Sequence, residues 1–427
     1  MEYCDWHLSP STFMLRKEHR TVLFQSLTLE ALEIDDEAVT FLSTFKLPRQ
    51  APRDEPMRAT FEDLRRRGFL VTDDLARQQR SAADLVHEEP ASAEIDAYRI
   101  VLTERCNLAC SYCFEATVAK NGRRMSEQTL LDVLSTIADR HPSGTIHLHW
   151  FGGEPLLAFD LLKRGIEHIE ARAGSSRVSH ALTTHGGLVT RERAEILGRH
   201  SVSAYVSVDG TPAVHNRHRL TVNGSGTFDD AMRGYARLCE AGVTAGLLLT
   251  PQNVNTGELL RSVRFLVEEI GCRRIGINTP QPTSTGWALD GRTFAEQVLD
   301  VMHYCASNEV ALMSPGQRIV RSVLRREPHV RDCATADGSM AVSISPDGNM
   351  GFCIVSWNDP GHSGHLANGD FELARRWKTR SHLTDTCRSC VAEMVCGGPC
   401  ALEAQLGGLD AQRCGFYRGF LEGMLTR

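Results

Sequence analysis

Ten of the chain's fourteen cysteines stand in two groups whose spacing suits metal ligation, and they raise the first question of chemistry. Cys106, Cys110 and Cys113 lie in the run Cys-Asn-Leu-Ala-Cys-Ser-Tyr-Cys. Three is the informative number. A structural zinc takes four ligands and an electron-transfer cluster takes four cysteines, whereas a 4Fe-4S cluster held by three leaves one iron open to a substrate or cofactor. The second group comprises Cys333, Gly348-x4-Cys353, Cys387-x2-Cys390-x5-Cys396-x3-Cys400 and Cys414. Sets of this kind hold iron–sulfur clusters or, equally by spacing, structural zinc.

The elements that must present these thiols follow from periodicity. From Tyr98 onward the chain alternates strand and helix, with strands expected at Tyr98–Leu102, Thr145–Phe151, His180–Thr184, Ser203–Val208, Ala245–Thr250 and Arg274–Asn278. Amphipathic helices such as Glu127–Arg140 and Phe228–Ala241 lie between them. Six such units predict an α/β fold, a partial (β/α)6 TIM-like barrel, with functional residues on loops at the carboxyl ends of the strands. Residues 1–92 read as a small winged-helix-like unit: strands at Thr21–Ser26 and Ala31–Ile34, a helix from the N-cap Asp35 to Phe45, a helix at Ala59–Arg67 and an extended Phe69–Val71. Gln78–Ala93 reads as a linker, so the barrel is expected over 93–314. Residues 315–427 are too thin in apolar side chains for an independent large core, so metal should help hold them.

The cysteine triplet, joined to Phe151-Gly-Gly-Glu-Pro155, resembles the radical S-adenosylmethionine (radical SAM) superfamily. The resemblance implies that the open iron chelates the methionine amino and carboxylate groups, that Tyr112 belongs to the cofactor site, and that Gly152, Gly153, Glu154 and Pro155 line the amino group. It also makes Thr183, in Thr183-Thr-His-Gly186, a cofactor contact, although His185 stands where the family commonly has Asn. Ser207, Asp209 and Arg219 become candidates for cofactor ribose and carboxylate contacts. The C-terminal cysteines resemble the SPASM extension of that family, which implies two auxiliary clusters and three 4Fe-4S clusters in all. By resemblance Cys387, Cys390, Cys396 and Cys414 hold one, and Cys333, Cys353 and Cys400 hold the other. The fourth site of the latter is open, or filled by Asp332, Cys305 or substrate. Anaerobic sulfatase maturases carry an Asp base after the cysteine matching Cys353, and Ile354 stands here.

Composition bounds the rest. Residues 1–95 carry 12 basic against 18 acidic side chains and the remainder 35 of each, so no nucleic-acid footprint is expected. With neither an 18-residue apolar run nor a signal segment, no membrane partner and a cytoplasmic location are expected. Cys4, Cys239, Cys272 and Cys305 are left over: Cys239, on an amphipathic helix, and Cys272, beside Gly271, suit packing, hydrogen-atom donation is open to any of the four that faces the cavity, and His147 and His149 suit local hydrogen bonds. The N-terminal unit resembles a leader-peptide recognition element. The expected function is therefore a radical SAM/SPASM oxidoreductase that modifies a ribosomally made precursor peptide, served by a flavodoxin- or ferredoxin-type electron donor. The alternatives are a small-molecule dehydrogenase or mutase and a zinc-stabilised binding protein without catalysis.

Overall fold

A computed structural model describes residues 5–46, 48–88, 94–113, 122–252, 256–279, 289–330, 335–336, 339–355, 357, 359–379, 381–405 and 407–427. The N-terminal unit opens with β1 (His7–Leu8), β2 (Thr12–Lys17), β3 (Arg20–Gln25) and β4 (Glu30–Ile34). β2, β3 and β4 form an antiparallel sheet in that order. Asp35 caps helix α1 (Asp36–Ser43) by accepting from the Ala38 amide at 2.8 Å. Helix α2 (Glu55–Arg66) starts with Pro56 in its first turn, where the missing N–H costs nothing, and β5 (Leu70–Val71) then pairs with β1.

The sheet is covered on both faces. Leu23 packs with Leu42, Phe61 and Phe69 inside the unit. Its neighbour Phe24 belongs to the large core shared with the rest of the chain. The expected linker is instead helix α3 (Asp73–Glu88). Its Ala-, Gln- and Arg-rich sequence favours helix, with no breaker before Pro90, and Ala83 and His87 are buried against the body of the protein.

The barrel strands are β6 (Glu94–Thr103), β7 (Ile146–Gly152), β8 (Val178–Thr184), β9 (Ser203–Ser207), β10 (Ala245–Leu249) and β11 (Arg274–Ile277). Each pairs in parallel with the next, so the sheet is singly wound, with a helix after most strands. Leu148, Trp150, Leu182, Ala204, Val206, Leu247 and Ile275 are all buried. Trp150 shows which way this parity points: its ring lies where a Cβ on Gly165, in helix Phe159–Ala173, would come within 2.8 Å. The opposite parity, including Arg99, His149, Phe151, Thr183, Tyr205 and Ser207, faces the concave side.

Five strands extend the expected set. β12 (Ala311–Met313) adds in parallel to β11. After the two-residue β13 (Thr335–Ala336), β14 (Ser339–Ile344) runs parallel to β6 on its other edge, and β15 (Asn349–Gly351) and β16 (Ser363–His365) follow antiparallel. The barrel sheet thus continues into the C-terminal region. Among the described residues no helix is long and apolar enough to cross a membrane.

Candidate active site

The loop after β6 places Cys106, Cys110 and Cys113 at the carboxyl end of the first barrel strand. It is pinned by the segment after β9. The Ala109 amide donates to Leu220 O at 2.8 Å, the Ser111 amide to His218 O at 3.0 Å, and Ser111 Oγ meets His218 Nδ1 at 2.7 Å. The Cys106 sulfur accepts the Leu108 amide at 3.4 Å. Burial pushes the Cys106 thiol up to about 12, the charges of Glu154, Cys110 and Cys113 adding to it. Cys110 is raised for the same first reason, partly offset by Arg219. Thiols so raised, as at Cys106 and Cys110, ionise readily only when a cation shares the site, so the donor set fits a metal cluster.

Gly152 and Gly153 bring β7 against that loop. A Cβ on Gly153 would lie 2.5 Å from Arg105 O and 2.7 Å from Glu104 O, and one on Gly152 2.2 Å from Thr103 O. The Gly153 amide donates to Thr103 O and the Glu154 amide to Arg105 O, each at 2.9 Å. Glu154 caps the short helix begun by Pro155 and is 1% exposed. Its carboxylate accepts from Thr184 Oγ1 at 2.8 Å, the Leu156 amide at 3.0 Å and the His185 amide at 2.9 Å. Glu154 therefore ties the ends of β7 and β8 together. His185, in the position noted for its departure from the family, reaches Asn107 Oδ1 at 2.9 Å and so braces the residue beside Cys106.

Asp209 and Arg219 form a buried pair, with Arg219 Nε donating to Asp209 Oδ2 at 2.9 Å and Nη2 to Oδ1 at 3.3 Å. Asp209 also accepts the Tyr112 hydroxyl at 2.5 Å and the Thr250 amide at 3.1 Å. Burial alone would lower the Arg219 guanidinium, but Asp209 more than offsets it and the group is held charged. Burial likewise lifts Tyr112 well above the usual phenol range, so it remains a donor. Tyr112 in turn sits under the guanidinium, 5.3 Å from the ring centre. Asp209 is thus the hub that orients both side chains.

Ser207 ends β9, buried and in register with Leu248. Thr183 Oγ1 pairs with His149 Nε2 at 2.9 Å, and burial pushes the His149 imidazole down to about 3, leaving it neutral. Cys272 and Cys305 are buried, Cys272 at the amino end of β11, away from the loop cysteines, and Cys305 on the helix Gly291–Ser307; Cys239 is exposed on the helix Phe228–Glu240. Cys4 lies outside the described residues.

At the C-terminal end Cys387, Cys390, Cys396 and Cys414 line one cleft of about 350 Å³ together with Tyr417 and Arg418. They ring a space rather than a point. Among the described residues no three His, Cys, Asp or Glu side chains stand close enough to hold a single ion. Cys353 follows β15, accepting the Val355 amide at 3.4 Å, and Cys400 opens the helix Ala401–Gln405. Cys333 and Asp332 lie outside the described residues.

Residues 100–266, from β6 through the helix Leu259–Glu268, match the family model of the Radical SAM superfamily, so this segment is a radical SAM domain. The superfamily carries a 4Fe-4S cluster and S-adenosylmethionine, and this chain is an enzyme of that kind. Within it the kinship is with maturases. The chain is 23% identical over 334 residues to a serine-type anaerobic sulfatase-maturating enzyme of Klebsiella aerogenes, covering 74% of this chain and 82% of that protein. It is 19% identical to the radical SAM cyclopropyl synthase TigE of Paramaledivibacter caminithermalis, covering 78% and 75%. Among solved structures, Streptococcus suis SuiB bound to precursor peptide SuiA matches 97% of this chain and 98% of its own, with TM-score 0.56 and 15% identity, a likeness of fold.

Several residues that matter here carried a signal that went unread. Arg413 and Arg418 flank Cys414, and Arg418 lies one helical turn beyond it, within reach of the same cleft. Arg80 lies in the stretch taken for a linker and grips Glu393 through both carboxylate oxygens, at 2.9 and 2.6 Å.

Proposed function

We propose that the chain modifies a ribosomally made precursor peptide by radical chemistry, using three 4Fe-4S clusters. Cys106, Cys110 and Cys113 would hold the cofactor-binding cluster, and the cleft of Cys387, Cys390, Cys396 and Cys414 an auxiliary one, leaving Cys333, Cys353 and Cys400 for the third. When bound, the open iron and S-adenosylmethionine supply a deoxyadenosyl radical able to abstract an unactivated hydrogen. The chain's own part is to bind, orient and exclude water. Asp209 holds Arg219 charged and orients Tyr112; Arg219, Tyr112 and Ser207 would contact the cofactor, and the glycines of β7 would allow its close approach.

The observation that carries this reading is the three-cysteine loop at the mouth of a parallel barrel, locked by Glu154 and Asp209 and lacking a fourth thiol from its own segment. Four cysteines lining one cleft supply the ligand set that a cluster takes. The peptide substrate is supported by the N-terminal sheet, whose β2 and β4 each have one unpaired edge among the described residues, the surface an extended leader adds to. Ile354, in the position of the sulfatase maturases' base, argues for a different reaction from theirs.

Anaerobic turnover of the full chain with the precursor peptide encoded beside its gene tests the reading. A loss of two hydrogens in the product marks oxidation or crosslinking. Deoxyadenosine should disappear when Cys106, Cys110 and Cys113 are replaced by Ala, while about eight of roughly twelve iron atoms remain. Colourless protein holding zinc would overturn the cluster reading, and an unmodified peptide with turnover of a small alcohol would move the substrate to the small-molecule class.

A further inference from the structure

The cleft ringed by Cys387, Cys390, Cys396 and Cys414 differs from the Cys106 loop in the charges that face its sulfurs. Arg418 Nε donates to Cys390 Sγ at 3.2 Å, Arg413 Nη1 to Cys396 Sγ at 3.2 Å, and Thr384 Oγ1 to Cys387 Sγ at 3.3 Å. Two nearby carboxylates must be counted against the guanidiniums. Glu403 pairs with Arg413 at 3.2 Å and Glu393 is offset by Arg80 at 2.6 Å. Arg418 has no such offset among the described residues, its interactions being with Cys390, Cys414 and Cys387. At the Cys106 loop the balance has the other sign. The Arg219 charge is neutralised by Asp209, and the buried Glu154 adds a negative charge beside Cys106.

We propose that Arg413 and Arg418 raise the reduction potential of the group held in this cleft. The inference rests on the proposed cluster assignment and assigns roles to two residues outside the ligand set. A thiolate-bound cluster gains one negative charge on reduction, and donors and cations at its sulfurs stabilise that charge. Arg418 acts through Cys390 and Arg413 through Cys396, so both are positioning residues for electron transfer.

The test uses the full chain with Cys106, Cys110 and Cys113 replaced by Ala, reconstituted with iron and sulfide and titrated electrochemically with EPR detection. Arg418→Gln should lower the reduced-to-oxidised ratio at a fixed poise about tenfold, equivalent to about 59 mV for one electron. Arg418→Lys should stay near the parent, because it keeps the charge. Glu403→Gln should shift the ratio the opposite way by removing the offset to Arg413. Iron-replete Arg418→Gln and Glu403→Gln proteins that both titrate like the parent would overturn the proposal and leave the cluster assignment standing. Should Arg418→Gln fail to retain iron, Glu403→Gln decides alone. A parent without iron or signal in this region would instead sink the cluster assignment, and the inference with it.

Discussion

Replacing Asp209 by Ala removes the acceptor of two bonds from Arg219, one from Tyr112 and one from the Thr250 amide. The guanidinium left behind is 7% exposed, so water cannot take over. Stranding one member of a buried ion pair costs about 3–5 kcal/mol, against a total domain stability of about 5–15 kcal/mol. For a unit of the barrel's size that corresponds to a fall in melting temperature of roughly 6–20 °C. Thermal unfolding of the holoprotein under anaerobic conditions reads this directly. The double variant Asp209→Leu, Arg219→Met removes both charges and should melt well above the single variant, since an apolar pair of similar volume avoids the buried charge. Both variants should lose deoxyadenosine formation, which separates the stability effect from the cofactor contact. A single variant melting within about 2 °C of the parent, or a double variant no more stable than the single, would refute the argument that Arg219 is trapped in a dry site.

Other expectations follow from the same geometry. Gly153→Ala should reduce deoxyadenosine formation by tenfold or more, about 1.4 kcal/mol in the barrier, because its Cβ would collide with the Arg105 and Glu104 carbonyls. Gly144→Ala, whose Cβ meets nothing within 4 Å, should cost only backbone strain and keep the rate. Burial lowers His149 to about 3 and His215 to about 4, so unfolding takes up protons between those values and about 6.5. Stability should therefore be full above pH 6.5 and fall as the pH drops toward 4, by at most about 1.4 kcal/mol per pH unit for each histidine. His149→Gln should flatten that slope in urea titrations, and an unchanged slope would show that the imidazole stays solvated. Glu393→Ala removes two bonds to Arg80 and one to His87, bonds worth about 1.5–3 kcal/mol each when a charge is involved. Amide exchange over residues 73–88 should rise by orders of magnitude, and unaltered protection would show that α3 is held by its apolar contacts alone.

The barrel was legible because each of its strands combines a buried parity with a turn signal, and the expected Tyr98–Leu102 and His180–Thr184 fall inside β6 and β8. The cysteine sets stood out for a different reason: a ligand set for metal fixes spacing in the chain itself. β12 and β14 escaped notice. β12 is three residues long and largely exposed, so it carries little apolar pattern, and the place of β14 beside β6 is a pairing between residues more than two hundred positions apart. The α3 error came from reading Ala, Ser, Glu and Gln as linker composition when the same residues are good helix formers. The hub at Asp209 was visible as a motif but not as a network. Its donor Tyr112 lies 97 residues away, and only the fold shows that Asp209 spends its acceptors on other side chains.

The parallel seam between β14 and β6 joins two chemical regions through backbone alone. β6 leads into the Cys106 loop, and β14, with Ile344 opposite Ile100, turns back into the antiparallel β15 that precedes Cys353. The register of the two strands is accordingly set like graduations on a ruler, in steps of about 3.3 Å per residue. An inserted residue in either strand would shift one end of the scale and turn each following side chain to the wrong face. Loops around the mouth can vary in length and sequence to suit a new substrate, while the sheet beneath them keeps its register.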